Sequence, residues 1–348
     1  MQIVENFLFF LYNMQEYAND AQMCIIDFSK CFCMNKLEEN KLLSKISRLY
    51  YLEDINQQKI AEKLNISRTK VSRYLTRAKK ENIVEIKINS AREKFEELEN
   101  AIEKKFGIKE CIVVPTYEKE EEIYKQMALS LSNILERILK DGDNLGIGWG
   151  VTLRTVTNYL EANKKVDIKV IPLLGGLGKV GTGVHTNSVA KTIADKYGGV
   201  SYVIHSPAVL DSKEAKEIIE KDSNTSEIIA MSNEIDTAII GMSDIGPEST
   251  LVKTGNFKIE DFNYLSSLGV VGDVNLIFIN EFGEYVPNEI DERIVRASIE
   301  KIRKINNIIG VGFGIKKIKV IIGALRGKII NILITDEATA KNINLKEG

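Results

Sequence analysis

A run of basic residues is the first feature of the sequence whose chemistry is informative. Between Ser67 and Lys80 there are six Lys and Arg residues and no Asp or Glu. On a helix, such a run forms a cationic surface instead of the mixed surface of an ordinary solvated helix. Lys and Arg without acidic partners usually bind an anionic polymer. The segment therefore predicts contact with a nucleic acid.

The net charge of the whole chain conceals this segment. The 348 residues contain 47 Lys and Arg against 49 Asp and Glu, and the resulting net charge of -2 taken alone argues against a nucleic-acid partner. Residues 36–90, however, contain thirteen basic and seven acidic residues, a net charge of +6, so the other residues together carry -8. The sequence thus predicts a basic head joined to an acidic body.

Three predicted helices position the basic residues. Apolar side chains at spacings of three and four predict a first helix that ends near Leu52, a second over 57–64 and a third that begins after Ser67. Two short helices joined by a tight turn, the second of them basic, are typical of a helix-turn-helix, whose second helix enters the major groove. A small helical domain with a solvated basic face is the alternative. The alternating residues 83–88 predict a β-strand that forms part of a wing. The predicted DNA-binding residues are Gln57, Gln58, Ser67, Arg68, Thr69, Lys70, Ser72, Arg73 and Arg77.

Three glycine-rich loops carry the second group of informative residues. Residues 146–152 follow an apolar strand and precede a helix, so bare backbone and the Thr152 hydroxyl could hold a phosphate. Residues 175–179 are followed by His185 and Asn187, although a lone His is more often structural. Residues 310–317 place Lys317 at the start of a helix, where an ammonium can bind phosphate as a point charge.

Other kinds of site find little support. Asp273, at a predicted strand, is a candidate base and could equally accept sugar hydroxyls. The sequence has no Cys, His and Asp cluster with metal-ligand spacing and no G-x-S-x-G elbow, and its glycine loops match neither the Walker nor the dinucleotide pattern. We therefore predict no metal and no cofactor.

Alternating strands and helices position the loops. The sequence predicts strands at 111–114, 144–147, 168–174, 200–204, 237–241, 270–279, 308–312 and 329–334, with helices at 121–139, 152–160, 186–197 and 315–325. This order predicts a doubly wound α/β domain with a mainly parallel sheet, in which ligands bind at the carboxyl ends of the strands. We expect a helix-turn-helix domain at 36–90, a linker helix at 91–107 and an effector and oligomerisation domain at 108–348.

Residues 1–35 do not fit this organisation. They are rich in aromatic residues and Cys and have poor periodicity, so we interpret them as an atypical extension, with Met34 as the expected start of translation. A docking helix is the alternative. The early apolar run 7–12 is far shorter than the roughly 20 residues of a membrane span, and the Cys spacing indicates reduced thiols. We expect a cytoplasmic protein without membrane contact.

The order of the motifs resembles that of the SorC-type sugar-binding transcriptional regulators, a family that includes deoxyribonucleoside and central glycolytic regulators. The matching stretches are Q-x-I-A-x-x-L-x-I-S-R-x-x-V-S-R-x-L at 58–75 and residues 146–153, 172–178, 269–273, 324–327 and 333–338. The resemblance implies an effector domain similar to phosphosugar isomerases, a phosphorylated sugar as effector, and dimers or tetramers that bind double-stranded palindromic operators. The effector-binding residues that it implies are Gly148, Gly150, Thr152, Gly175, Gly176, His185, Asn187, Asp273 and Lys317.

The sequence therefore favours a transcriptional regulator, and a repressor over an activator, of a carbohydrate-utilisation operon. Phe313 and Ile315 depart from the small residues that the family more often has there, which leaves the sugar open. One alternative is an enzyme, a sugar-phosphate isomerase on the same scaffold with Asp273 or His185 as base. Another is an interaction module with an inert pocket. The basic segment has no use in an isomerase and favours the regulator.

Overall fold

The computed structural model describes residues 39–85, 93–177, 186–253 and 255–345. These form two compact units that divide between Ser90 and Ala91.

In its described residues, the first unit is built from three helices around a small apolar core. They are α1, described over residues 39–51, α2 (Gln57–Leu64) and α3 (Arg68–Lys80). Asn56 caps the start of α2, where its side-chain oxygen accepts the Lys59 N–H at 2.9 Å. Asn65 caps the end of α2 and adopts a left-handed φ of 52°. That left-handed residue produces the tight turn before α3. The core contains Leu43, Ile46, Ile60, Val71, Leu75 and Ala78.

The predicted wing strand falls only partly within the described residues. Residues 83–85 form no strand, and 86–88 lie outside the described residues. The helix-turn-helix itself is present as predicted.

The second unit contains a mostly parallel sheet of nine strands in the described residues. They are β1 (Glu110–Val114), β2 (Asn144–Ile147), β3 (Lys169–Pro172), β4 (Val200–Ser201), β5 (Thr237–Asp244), β6 (Gly272–Val274), β7 (Ile277–Ile279), β8 (Asn307–Val311) and β9 (Ile332–Asp336). The parallel strands follow the order β1-β9-β8-β5-β2-β3-β4, while β6 and β7 form an antiparallel hairpin that pairs with β5.

Helices cover both faces of the sheet. The α-helices of this unit are α4 (Glu93–Phe106), α5 (Glu120–Ile138), α6 (Val151–Tyr159), α7 (Thr186–Tyr197), α8 (Lys213–Lys221), α9 (Ser223–Met231), α10 (Thr250–Lys253), α11 (Ile259–Ser267), α12 (Ile299–Ile302), α13 (Ile318–Arg326) and α14 (Glu337–Leu345). Alternate residues of each strand point to opposite faces: Ile239 belongs to one apolar cluster with residues of α5, α6 and α7, whereas Ala238 and Ile240 belong to another with residues of α4, α11 and α13. Two apolar cores therefore enclose the sheet, and the predicted fold class is confirmed.

The prediction of one strand over 270–279 is wrong. The segment folds into β6 and β7, because Asn275 and Leu276 adopt left-handed φ values of 54° and 59° and turn the chain. The Asp273 carboxylate accepts the Leu276 N–H at 2.8 Å and closes this turn.

Other boundaries shift by a few residues. Strand β3 ends at Pro172, β4 contains only Val200 and Ser201, and β9 begins at Ile332. The predicted helix 315–325 begins with the 3₁₀ turn Ile315–Lys317 before α13.

Candidate functional site

Helix α3 presents a basic face to solvent. Its apolar side, which includes Val71 and Leu75, packs into the core, so the opposite side is exposed. Exposed on it are the predicted residues Arg68, Thr69, Lys70, Ser72 and Arg73. A helix of this kind can enter the major groove, where Arg and Lys read guanine and bind phosphates.

Two predicted DNA-binding residues have structural roles in this domain. The Ser67 hydroxyl accepts the Lys70 N–H at 3.2 Å and caps α3. Arg77 Nη2 donates to Glu39 Oε2 at 3.1 Å, and its Nε pairs with Glu81. These carboxylates raise the pKa of Arg77, and Arg77 lowers the pKa of Glu39. Arg77 thus ties α3 to α1.

Of the two predicted glutamines, Gln58 is exposed and Gln57 is half-buried. Gln58 Nε2 donates to Glu62 at 3.1 Å, one turn later on α2.

A second basic surface lies on α1 and α2. A surface groove of about 620 Å³ is lined by Lys41, Lys45, Arg48 and Lys63, with Glu53 as its acidic residue. Three of these cations come from α1 at spacings of four and three, which places them on one side of the helix. The groove adds cationic surface beyond the recognition helix.

In the second unit, the candidate effector site lies where β2 and β5 adjoin. The chain turns to β3 on one side of β2 and returns to β5 on the other, so this is the point at which the strand order reverses. Ligands of doubly wound sheets bind in the crevice at such a point. Gly150, with a φ of 135°, precedes α6, and open space surrounds the position that a side chain would take there. Bare backbone at the start of a helix can hold an anion.

Lys317 connects two of the predicted loops. Its ammonium donates to Thr152 Oγ1 at 3.1 Å, joining residues 165 positions apart in the sequence. Burial lowers the pKa of Lys317, while the carboxylates of Asp244, Asp273 and Glu120 act in the opposite direction. A cation, a hydroxyl and the start of α6 therefore meet at the end of the sheet.

Asp273 is buried beside this group. Only 1% of its surface is exposed, and burial raises its pKa to about 7, although the Leu276 N–H and the Lys317 ammonium stabilise the ionised form. The neighbouring carboxylate of Asp244 raises the pKa of Asp273 further. Near neutral pH the site can therefore contain Asp273 in either protonation state.

Gly148 lies between the β6–β7 hairpin and β5. A Cβ atom at Gly148 would stand 3.0 Å from Asn275 Oδ1 and 3.2 Å from Ile240 Cα, so a larger residue would require its neighbours to shift by a few tenths of an ångström. The predicted residues Gly148, Gly150, Thr152, Asp273 and Lys317 thus occupy one region at the end of the sheet.

The loop after β3 is held by its own backbone contacts. A Cβ atom at Gly175 would lie 2.6 Å from the Ser206 carbonyl oxygen, and the Gly176 N–H donates to that oxygen at 2.8 Å. Asn187 Nδ2 donates to the Ile204 carbonyl oxygen at 3.1 Å. These three predicted residues therefore have structural contacts in the described residues, and His185 lies outside them.

Sequence reasoning missed two residues of the site. Asp244 ends β5 and Asn275 turns the β6–β7 hairpin. The G-V-V-G-D motif identified Asp273, but nothing in the sequence shows that the next turn folds back on the Gly148 loop.

Two further observations concern the part of the chain that the structure describes. No group of three His, Cys, Asp or Glu side chains there could hold a metal ion. No helix there is long and apolar enough to cross a membrane.

Comparisons with known proteins agree with this architecture. Residues 91–344 match the family model described as "Putative sugar-binding domain", and residues 53–85 match "Winged helix-turn-helix DNA-binding". The chain is 29% identical over 308 residues to the deoxyribonucleoside regulator of Bacillus subtilis, which covers 87% of this chain and 97% of that protein. It is 29% identical over 311 residues to the sorbitol operon regulator of Klebsiella pneumoniae, covering 88% of this chain and 99% of that protein. The crystal structure of that full-length regulator, SorC, superposes with a TM-score of 0.69 at 28% identity and covers 88% of this chain and 99% of that chain.

Proposed function

The chain belongs to the SorC family of sugar-binding transcriptional regulators, and from this premise we propose that it represses a carbohydrate-utilisation operon until a phosphorylated sugar binds its effector domain. Binding of the sugar lowers the affinity of the helix-turn-helix for its operator. We propose three properties of this chain: the direction of regulation, the phosphate group of the effector and the oligomeric state.

The contact between Lys317 and Thr152 is the observation that supports a phosphorylated effector most strongly. A partly buried ammonium 3.1 Å from a hydroxyl, beside the open start of α6, offers a charge and several hydrogen-bond donors to one anion. Burial of the ammonium carries a cost, and a phosphate would add to the negative charge of Asp244, Asp273 and Glu120 that offsets it.

The exposed Lys and Arg residues of α3 support the proposed binding of DNA. Each recognition helix reads about one half-site, so we propose a dimer or tetramer on a palindromic double-stranded operator. The effector must bind one arrangement of the subunits more tightly than another, because equal binding to both would shift nothing.

Binding of promoter DNA by the full-length chain tests the proposal. Fluorescence anisotropy with labelled fragments, first at about 50 mM and then at about 200 mM salt, should give sequence-specific binding that weakens steeply with salt. A panel of sugar phosphates added to the complex should contain at least one that releases the DNA. The proposal is wrong if no fragment binds specifically, or if no sugar phosphate changes the binding.

Matched variants test effector binding and DNA binding separately. Lys317→Ala should abolish release by the sugar phosphate and leave DNA binding unchanged, whereas Lys316→Ala, at the exposed neighbouring position, should behave as the wild type. An Arg68→Ala and Arg73→Ala double variant should lose about 1–3 kcal/mol of discrimination for each base contact that it removes. Unchanged operator binding in the double variant would refute the assignment of α3.

An enzyme remains the alternative because of Asp273. A carboxyl group with a pKa of about 7 suits a general base at neutral pH. Turnover of pentose or hexose phosphates at ordinary enzymatic rates would favour this alternative over the regulator.

A further inference from the structure

The turn between β6 and β7 contains a buried amide without hydrogen-bond partners. Asn275 is fully buried, with 0% exposure, yet neither its Oδ1 nor its Nδ2 has a partner. Asp273 Oδ1, two residues earlier, is also buried without a hydrogen bond of acceptable geometry. Both polar atoms of the Asn275 amide are therefore unsatisfied, whereas the Asp273 carboxyl group also interacts with the Trp149 side chain, which lowers its pKa.

These atoms lie at the candidate effector site. Asn275 Oδ1 would be 3.0 Å from a Cβ atom placed on Gly148, so the amide faces the loop that leads to α6. Asp273, which shares the turn, interacts electrostatically with Lys317. The amide therefore lies on the same side as the cation and the glycine loop.

The backbone explains the choice of Asn only in part. The φ of 54° at position 275 favours Asn or Gly over other residues. Glycine would satisfy that geometry without burying an amide, and each buried unsatisfied polar group costs about 1–3 kcal/mol. Such a cost is expected at a functional site, where a ligand supplies the missing partners.

We propose that Asn275 is a specificity-determining residue that binds hydroxyl groups of the effector, with Asp273 Oδ1 as a second acceptor. This inference rests on the proposed function, since it names the part of the sugar that the same site recognises. The amide oxygen of Asn275 and the carboxyl oxygen of Asp273 accept hydrogen bonds, and the Asn275 Nδ2 donates them. Together they complement hydroxyls, which both donate and accept. The effector is a sugar phosphate with free hydroxyls away from the phosphate, and its deoxy analogue at those carbons is rejected.

The single tryptophan provides the measurement. Trp149 is buried between Gly148 and Gly150, so its fluorescence should change when a ligand enters the site. The full-length chain is titrated with a panel of sugar phosphates, and the tightest ligand is then compared with its deoxy analogues at each carbon away from the phosphate. In the wild type, at least one deoxy analogue should bind about 100-fold more weakly or worse, because it leaves buried polar groups unpaired.

Asn275→Gly removes the amide and keeps the left-handed backbone. It should weaken binding of the hydroxylated ligand at least tenfold and binding of the critical deoxy analogue less than threefold. The ratio of the two dissociation constants should therefore fall. Asn65→Gly, at a residue with a φ of 52° in the first unit, makes the same change in the same backbone geometry and should leave the ratio unchanged. If the Asn275→Gly chain fails to fold, Asn275→Asp, which replaces the donor by an acceptor, provides the same test.

The outcomes separate this inference from the proposed function. If wild type binds a sugar phosphate and the Asn275 variants keep the wild-type ratio within twofold, the inference is wrong and the proposed function stands. The inference is also wrong if wild type binds the deoxy analogues equally well. If no sugar phosphate alters Trp149 fluorescence or the melting temperature of the wild type, both fail.

Discussion

Replacement of Asp273 by Asn should change the pH dependence of stability of the effector domain. The substitution keeps the shape of the side chain and the acceptor for the Leu276 N–H, but removes the group that titrates. Since Asp273 is only 1% exposed, its charged form is not screened by solvent. Titration of Asp273 should therefore change the free energy of unfolding by a measurable amount.

The sign and size follow from the two pKa values of Asp273. Its pKa is about 7 in the folded chain against an ordinary 3.8, so the folded state holds the proton more tightly. The stability from this proton is fully present below about pH 4, falls as the pH rises through 7 and is constant above that. At about 1.4 kcal/mol per pKa unit the whole effect is about 4 kcal/mol, of which roughly 2.5 kcal/mol is lost between pH 5 and pH 8.

Urea unfolding monitored by Trp149 fluorescence measures this effect in the effector domain alone, because Trp149 is the single tryptophan and is 2% exposed there. Wild type and Asp273→Asn are compared at pH 5, 6, 7 and 8. The variant should gain about 2.5 kcal/mol relative to wild type from pH 5 to pH 8. Asp195→Asn, whose side chain is 63% exposed, serves as the surface control and should change the free energy of unfolding by less than about 0.5 kcal/mol.

A difference between wild type and Asp273→Asn that stays constant across these pH values would refute the reasoning. It would mean that Asp273 keeps an ordinary pKa in the folded chain, and hence that solvent or a neighbouring cation reaches its carboxylate.

Three further substitutions test the roles of single residues. Ser67→Ala removes the cap of α3 and should cost the DNA-binding domain about 1 kcal/mol, seen as a lower melting temperature of its helical circular dichroism signal. Gly175→Ala places a Cβ atom 2.6 Å from a backbone oxygen, so it should lower the free energy of unfolding measured by the Trp149 transition by about 1–3 kcal/mol; a loss of sugar affinity at unchanged stability would instead indicate ligand contact. Glu39→Gln frees Arg77 and removes a nearby acid, so binding to all DNA sequences should tighten and its salt dependence should steepen; unchanged binding would place Arg77 away from the duplex.

The sequence predicts those parts of the fold that depend on local patterns. Helix α7 lies at 186–197 and strand β2 at 144–147, as the periodicity indicates, because each presents one apolar side to one core. The cap residue Asn56 also follows a local rule, since a short polar side chain before an apolar pattern satisfies free N–H groups. Local signals therefore suffice for the helix-turn-helix and for most of the sheet.

Contacts between distant residues could not be predicted in this way. The hairpin within 270–279 was missed because an apolar run without a clear period looks the same in one strand or two. The pairing of Arg77 with Glu39 joins residues 38 positions apart, and no pattern in α3 announces it. Lys317 and Thr152 were each predicted from a glycine loop, but only the fold brings them to 3.1 Å.

Three groups at the end of the sheet cost the effector domain stability. A partly buried ammonium at Lys317, a carboxyl group at Asp273 that prefers its proton and an unpaired amide at Asn275 each oppose folding. Patterning rules assign such groups to the surface, so their burial at one end of one sheet indicates a role other than packing. A phosphate would add a negative charge beside Lys317, and neighbouring hydroxyls would pair with the Asn275 amide. Because these costs exist only in the folded domain, a ligand that removes them binds the folded state and stabilises it by mass action. The same arrangement that makes the domain less stable alone therefore makes it responsive to its effector.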